Sequence, residues 1–271
     1  MTPLAITGLS ILRRSDRRVL IESLDCTVNP GEIVGLVGQS GSGKSLTALA
    51  ATGLLPDGLE QVAGTIEVMG TAIAGLGVKA LRDLRRHNIS LIFQDPMTAL
   101  SPTRSIGAQM RDVLAVAGVP RSERLARAAA LLGDMDLPDP PALMRRFPHQ
   151  LSGGQRQRVL IAMAFAGSPA VVLADEVTTA LDVSVRAQVL SLLVDRARRT
   201  GSGLLLITHD LGAARSCCDR VLVMSAGRVV ESGPTDAVFA RPASAEARQL
   251  LASLPERALP RQLLPVAGDE P

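Results

Sequence analysis

The stretch "GQSGSGKS" (Gly38, Gln39, Ser40, Gly41, Ser42, Gly43, Lys44 and Ser45) fits the pattern G-x-x-x-x-G-K-S. Glycines at this spacing let the backbone curl until successive N–H groups point inward, a cradle for phosphate oxygens. A helix starting near the lysine adds the positive end of its dipole. The chain has only two lysines, Lys44 and Lys79, among many arginines. An ammonium is a compact point charge. It reaches into a narrow space beside the β- and γ-phosphates that a planar guanidinium fork fits less well. Ser45 offers a hydroxyl to Mg2+, and Leu46 completes the set on the first helical turn. A flexible Gly/Ser turn is the plainer alternative. The apolar run "EIVGLV" before the loop and the helical pattern "SLTALAATGLL" after it favour the phosphate loop.

A second group of residues fits the same chemistry. In "VVLADE" an apolar run carries Asp175 to the end of a strand, where it can hold Mg2+ through the water shell of Ser45. Glu176 then sits beside the γ-phosphate and can polarise an attacking water. Many strands end in a solvated carboxylate, so the pair gains its meaning from the phosphate loop upstream. The third group is "LSGGQ" (Leu151, Ser152, Gly153, Gly154, Gln155). Ser152 reads as a helix N-cap, with glycines in the turn. The same turn, opening the helix "QRQRVLIAMAFA", is also a second anion-binding helix end.

These groups need elements to hold them. "LAITGLSIL" and "RVLIESLDCTV" read as strands, "NPGE" as a turn, and "IVGLV" as a short buried strand before the phosphate loop. "GTIEVMG" and "ISLIFQD" read as further strands. From about 96 to 150 the pattern is mostly helical, clearest in "SERLARAAALLGDM" and broken by "DLPDPPAL". "AVVLADE" and "GLLLITHD" are buried strands with polar ends, separated by the amphipathic helix "VSVRAQVLSLLVDRARR". "RVLVMSAGRVVESG" reads as strand, turn, strand, and the tail after about Ala240 as helical, then Pro-rich. Strands alternating with helices predict an α/β core with a parallel sheet. The helical middle reads as an insert between two halves of that core. Ligands in such sheets bind at the carboxyl ends of the strands, where the loop, "FQD", "ADE" and "THD" all fall.

Composition narrows the class. Of 271 residues, 46% are hydrophobic, yet there is no Trp or Tyr and only four Phe, so the core must be aliphatic. A formal charge of +3 permits an acidic partner or membrane surface but does not argue for nucleic acid, and no aromatics interleave with a basic patch. Cys26, Cys217 and Cys218 form no disulfide or zinc framework, which suits a reducing cytoplasm. No signal peptide is legible at the start, and no uncharged run reaches the roughly 18–20 residues of a membrane helix. The expectation is a soluble protein or one held at a membrane by a partner.

Phosphate loop, "LSGGQ" and "VVLADE", in this order over nearly the whole chain, closely resemble the ATP-binding cassette (ABC) ATPases. The resemblance implies a P-loop NTPase of ABC type, a mixed sheet core with a helical subdomain insert. Residues 1–240 would form one ATPase domain with the insert at about 96–155, and 241–271 a short C-terminal extension. It implies ATP and Mg2+, with ATP sandwiched between the phosphate loop of one subunit and the "LSGGQ" of another. Gln94 in "FQD" matches the glutamine that senses Mg2+ or water and couples to the membrane partner. "TALD", ending in Asp182, resembles the loop that crosses the dimer interface. His209 in "ITHD" matches the switch histidine that contacts the γ-phosphate beside the catalytic Glu176. Two residues depart from the family's pattern. Val177 stands where the family usually has Pro, which should alter loop stiffness more than chemistry. Near the end of "LSILRR" there is no adenine-stacking aromatic, and Arg13 is the nearest equivalent.

"FQDPMTALSP", "ADEVTTALDVSVRAQVL" and "THDLGAARSCCDRVLVMSAGRVVESG" are similar to the ATPase subunits of dipeptide, oligopeptide and nickel importers. That likeness implies a peripheral protein on the cytoplasmic face of the membrane. Its partners would be a second ATPase (a paralogue or itself), two permease subunits and, indirectly, an extracytoplasmic solute-binding protein, with no nucleic acid. Peptide transport is the main expectation. A nickel importer and a soluble ABC ATPase of repair or translation stand as alternatives.

Overall fold

The structure is a computed structural model and describes residues 1–93, 95–178 and 181–252. The described residues form ten strands: β1 (Leu4–Arg13), β2 (Val19–Val28), β3 (Ile33–Gly38), β4 (Leu59–Val68), β5 (Thr71–Ala72), β6 (Ile89–Ile92), β7 (Val171–Asp175), β8 (Gly203–Thr208), β9 (Arg220–Ser225) and β10 (Arg228–Pro234). The helices are α1 (Lys44–Ala51), α2 (Val78–His87), α3 (Pro96–Ala99), α4 (Ile106–Val116), α5 (Arg124–Gly133), α6 (Pro140–Leu143), α7 (Gly153–Ala164), α8 (Val183–Thr200), α9 (Leu211–Cys217), α10 (Thr235–Ala240) and α11 (Ala245–Ala252).

The strands divide between two sheets. The central one runs β10-β9-β3-β8-β7-β6 and is parallel except for β10, which returns antiparallel along β9. The other runs β2-β1-β4-β5 and is antiparallel throughout. The strands read near the N-terminus thus form a sheet of their own. Alternation explains how the two meet. Val34 and Leu36 of β3, Val171 and Leu173 of β7, and Leu205 and Ile207 of β8 share one core with α1 and with Leu4, Ile6 and Leu9 of β1. The intervening residues, Val172, Ala174, Leu204 and Leu206, face the opposite core, built on α4, α5, α7 and α8. Both faces of the parallel sheet are covered, which is why its strands read as unbroken apolar runs.

The register decides where chemistry can occur. Val37 of β3 pairs with Thr208 of β8, and Asp175 of β7 pairs with Ile207 of the same strand. The ends of β3, β7 and β8 therefore lie level at the carboxyl edge. The three cysteines are buried and unpaired. Among the described residues no helix is long and apolar enough to cross a membrane. Residues 253–271, the remainder of the expected extension, lie outside the described part. Its first helix, α11, lies inside it. Glu231 of β10 accepts from the N–H groups of Ala243 (2.9 Å) and Ser244 (2.8 Å) at the approach to α11, and Ala247 is fully buried.

Candidate functional site

The phosphate loop leaves β3 at Gly38 and enters α1 at Lys44. Gly41 (φ 78°) and Gly43 (φ 108°) hold left-handed backbone that side-chain-bearing residues rarely adopt. Lys44 is only 4% exposed. Its Nζ donates to the carbonyls of Gly38 and Gln39, both at 2.9 Å, so the ammonium lies across the loop with one donor left over. Burial pulls its pKa below the ordinary lysine value, opposed by the nearby Glu176 and Asp175. Ser42 is buried, and its Oγ has no hydrogen-bond partner among the described residues. A cavity of about 210 Å3 opens over the loop, walled by Ser40, Gly41, Gly43, Lys44, Ser45, Leu46 and Glu176. An orphaned hydroxyl, a buried ammonium and the start of a helix form a lining that fits an anionic group such as a nucleotide phosphate.

Asp175 ends β7, and its Oδ1 accepts from Ser45 Oγ at 3.0 Å. Burial raises its pKa, the Ser45 hydrogen bond lowers it, and the neighbouring charge of Glu176 raises it further, so that the sum lies above the usual carboxylate value. Hydroxyl beside carboxylate is an oxygen donor set of the kind a hard divalent cation takes. Glu176 follows at φ 47°, an uncommon conformation for a side-chain-bearing residue, while its N–H donates to the carbonyl of Ile207 at 2.9 Å. Its Oε1 lies 3.2 Å from Nδ1 of His209, just beyond the end of β8. The two ends that the register places level thus bring carboxylate and imidazole into contact. Val177, in place of the family's usual proline, is 3% exposed and anchored in the helix-side core.

The "LSGGQ" turn lies elsewhere in the chain. Ser152 caps α7: its Oγ accepts from the N–H of Gln155 (3.3 Å), and Gln155 Oε1 accepts from the N–H of Ser152 (3.0 Å). The turn packs on the start of α8. Gly153 faces Leu181, and a Cβ built on Gly154 would stand 2.5 Å from Val185 Cγ1. Asp182 caps α8 by accepting from the N–H of Val185 at 3.0 Å and the hydroxyl of Ser184 at 2.8 Å. The Val185 and Ser184 hydrogen bonds hold its carboxyl below the usual range. None of Ser152, Gly153, Gly154, Gln155 or Asp182 lines the cavity over the phosphate loop.

Gln94, expected at the end of β6, lies outside the described residues, as do Thr179 and Ala180 of "TALD". Arg13 sits at the tip of the β1–β2 hairpin, 3.4 Å from Asp16. One residue escaped the sequence reading. Arg186 of α8 donates from Nη1 to Asp210, next to His209, at 3.0 Å, and from Nη2 to the carbonyl of Leu181 at 3.3 Å. It ties the loop before α8 to the loop carrying the histidine. Its place one helical turn after the Asp182 cap was the available signal.

Phosphate loop, strand-end carboxylates and histidine on one edge of a parallel sheet define a P-loop ATPase fold with a nucleotide cradle. The comparisons agree. Residues 21–179 match the family model described as ABC transporter. A probable D,D-dipeptide transport ATP-binding protein of Escherichia coli K12 is 47% identical over 90% of this chain and 75% of its own length. A probable peptide ABC transporter ATP-binding protein of Sinorhizobium fredii is 44% identical over 87% of this chain and 71% of its own. An oligopeptide transport ATP-binding protein of Mycobacterium tuberculosis is 42% identical over the whole chain, which spans 45% of that protein. In three dimensions the chain is similar to an ATP-binding cassette solved as a post-hydrolysis dimer with ADP and Pi, at a TM-score of 0.74, 26% identity, and coverage of 86% of this chain and 98% of that one. The chain belongs to the ABC transporter family, as one of its ATP-binding, ATP-hydrolysing subunits.

Proposed function

We propose that this subunit drives the import of di- or oligopeptides. The cargo rests on the relatives, whose names speak of dipeptide, peptide and oligopeptide transport. None of those names favours nickel. On this reading residues 1–240 act as one ATPase domain, the helices of about 96–155 as its inserted subdomain, and 241–271 as an extension. The protein sits at the cytoplasmic face of the membrane against two permease subunits, fed by an extracytoplasmic solute-binding protein.

The observation that carries the mechanism is a division within the chain. It holds a complete phosphate cradle and a complete second helix terminus, and the second does not line the first. Each site is then completed by another ATPase subunit, a paralogue or a copy of this chain. The dimeric arrangement of the structural relative supports this. The backbone N–H groups of residues 40–45 and the Lys44 ammonium bind the β- and γ-phosphates. Ser152 to Gln155 of the facing subunit close over the γ-phosphate, with Asp182 crossing beside them. Ser45 and Asp175 would hold Mg2+, with Gln94 as a further ligand; when bound, that ion neutralises charge on the β- and γ-oxygens. Glu176 takes a proton from the attacking water as its oxygen bonds to the γ-phosphorus and the bond to ADP breaks in line. His209 orients Glu176 and reports the γ-phosphate. Closure and reopening of the dimer carry the free energy to the permease as a shift in conformational populations.

The test is uptake of a labelled dipeptide and of labelled nickel in cells whose native copy is replaced by the wild-type chain or by Lys44→Ala. Loss of peptide uptake alone is the expected result. Loss of nickel uptake alone, or of neither, overturns the reading.

A further inference from the structure

A cavity of about 560 Å3 opens among α4, α5 and α6 and shares no lining residue with the nucleotide cradle. It exists because α4 and α5 turn their large side chains, Met110, Leu114, Leu131 and Leu132, into the core. The faces left toward the cavity carry Ala108, Ala126 and Ala129, too small to fill it. Met144 adds an apolar wall. Leu125 stands at the rim 59% exposed, one of the more exposed large aliphatic side chains in the described chain.

Charge at this site is one-sided. Arg111 and Arg145 both line the cavity, and neither forms an ion pair or hydrogen bond through its guanidinium among the described residues. The nearest carboxylates in sequence are engaged elsewhere: Asp112 pairs with Arg104, and Asp139 accepts from the N–H of Ala142. Ser105 at the lip accepts from the N–H of Ala108, which leaves its hydroxyl proton to donate. Apolar walls with a few polar donors among the lining residues, in a volume inside the range of about 300–1,000 Å3 typical of small-molecule sites, describe a binding pocket.

We propose that this cavity binds an organic carboxylate with an apolar body, the carboxylate between Arg111 and Arg145 and the body against Leu125, Ala126 and Met144. A guanidinium meets a carboxylate through paired, charge-assisted hydrogen bonds, and the apolar lining selects against a bare inorganic anion. Two sources share this chemistry: a medium-chain acyl carboxylate, and the free carboxyl terminus of a short apolar peptide.

Calorimetric titration of the full chain distinguishes them. The probes are octanoate and N-acetyl-leucyl-leucine, with octanol and N-acetyl-leucyl-leucine amide as uncharged controls. Saturable binding of one or both carboxylates, near one per chain, is expected, and which of them binds names the source. The controls bind at least about tenfold more weakly, the factor a lost charge-assisted contact commands. Arg111→Gln with Arg145→Gln weakens the carboxylate about tenfold or more, and Ala126→Leu, which fills an exposed position of the cavity, abolishes binding. Unchanged melting temperature and unchanged basal ATPase activity show that both variants are folded. No saturable binding of either carboxylate, controls that bind as tightly, or variants that bind like wild type each overturn the proposal.

Discussion

Gly154→Ala tests how the "LSGGQ" turn is held. The added Cβ would stand 2.5 Å from Val185 Cγ1, against about 3.5–4.0 Å for an unstrained carbon contact. One of the two must retreat by more than an ångström. Val185 has little freedom to do so, because a β-branched side chain in a helix keeps essentially one χ1 rotamer. Overpacking of this size costs about 1–3 kcal/mol. Replacing a helical glycine by alanine returns roughly 0.5–1 kcal/mol, so the net loss is on the order of 1–2 kcal/mol. In a domain of this size each kcal/mol moves the melting temperature by about 2–4 °C. Gly154→Ala should therefore melt a few degrees below wild type, and its ATPase activity should fall more than its ADP affinity, since the phosphate cradle is untouched. The companion variant Val185→Ala removes the obstructing methyl. In the double variant most of the loss should disappear, a coupling of about 1 kcal/mol or more. Thermal unfolding and steady-state ATPase assays on the four proteins suffice. A Gly154→Ala chain as stable as wild type, or a double variant whose losses simply add, would refute the packing argument.

Two further outcomes follow from named contacts. Arg186→Met removes the link between Leu181 and Asp210; with both partners of the ion pair roughly 30% exposed, the cost to stability is on the order of 1 kcal/mol, yet turnover should drop several-fold because the histidine loop loses its tie to α8, and Asp210→Asn should show the same drop without adding to it. Around Glu231, burial raises the pKa, but the hydrogen bonds from Ala243 and Ser244 outweigh it and hold the carboxyl below the usual glutamate range. A depressed folded-state pKa contributes stability above the unfolded value and loses it as pH falls through the folded one. The protection factors of the amides of residues 245–252, which correct for the intrinsic pH dependence of hydrogen exchange, should thus fall as pH drops through the folded-state pKa of this carboxyl, and Glu231→Gln should lower them already at neutral pH.

How far the sequence reaches is visible in which parts it predicts. The phosphate loop, "VVLADE" and "LSGGQ" are legible because their chemistry is local: glycines where the backbone must turn left-handed, a serine where a helix needs a cap, an acid where a buried strand ends. The N-terminal strands are legible as strands, but the sheet they join is not, since alternation specifies a face and not a partner. Helix α2 is unread for a different reason. It buries only Leu84, with Leu81 packed beside it, and exposes Lys79, Arg82 and Arg86, so its apolar face is short and its composition mostly charged, and Arg85 secures it by donating to the carbonyls of Thr52 and Gly53 at 2.7 Å across more than thirty residues of sequence. Gly154 and Arg186 share that non-local character. Their partners, Val185 and Asp210, are named only by the fold.

The placement of α8 gives these scattered contacts a common consequence. Its first turn touches the signature helix through Val185 and Gly154, holds the preceding loop through Asp182 and Arg186, and reaches Asp210 beside His209 through the same arginine. His209 in turn touches Glu176, whose carboxylate walls the nucleotide cavity. A displacement of the signature turn therefore has a continuous path of packed atoms and hydrogen bonds to the Glu176 carboxylate of the same chain. On the dimer proposed above, in which each signature turn closes on the other subunit's nucleotide, closure at one site would be felt through α8 at the carboxylate of the second. Coupling of this kind needs elements with two discrete arrangements. The left-handed backbone at Glu176 is where such an arrangement is most readily changed, because a residue held at φ 47° relaxes as soon as its neighbours cease to hold it.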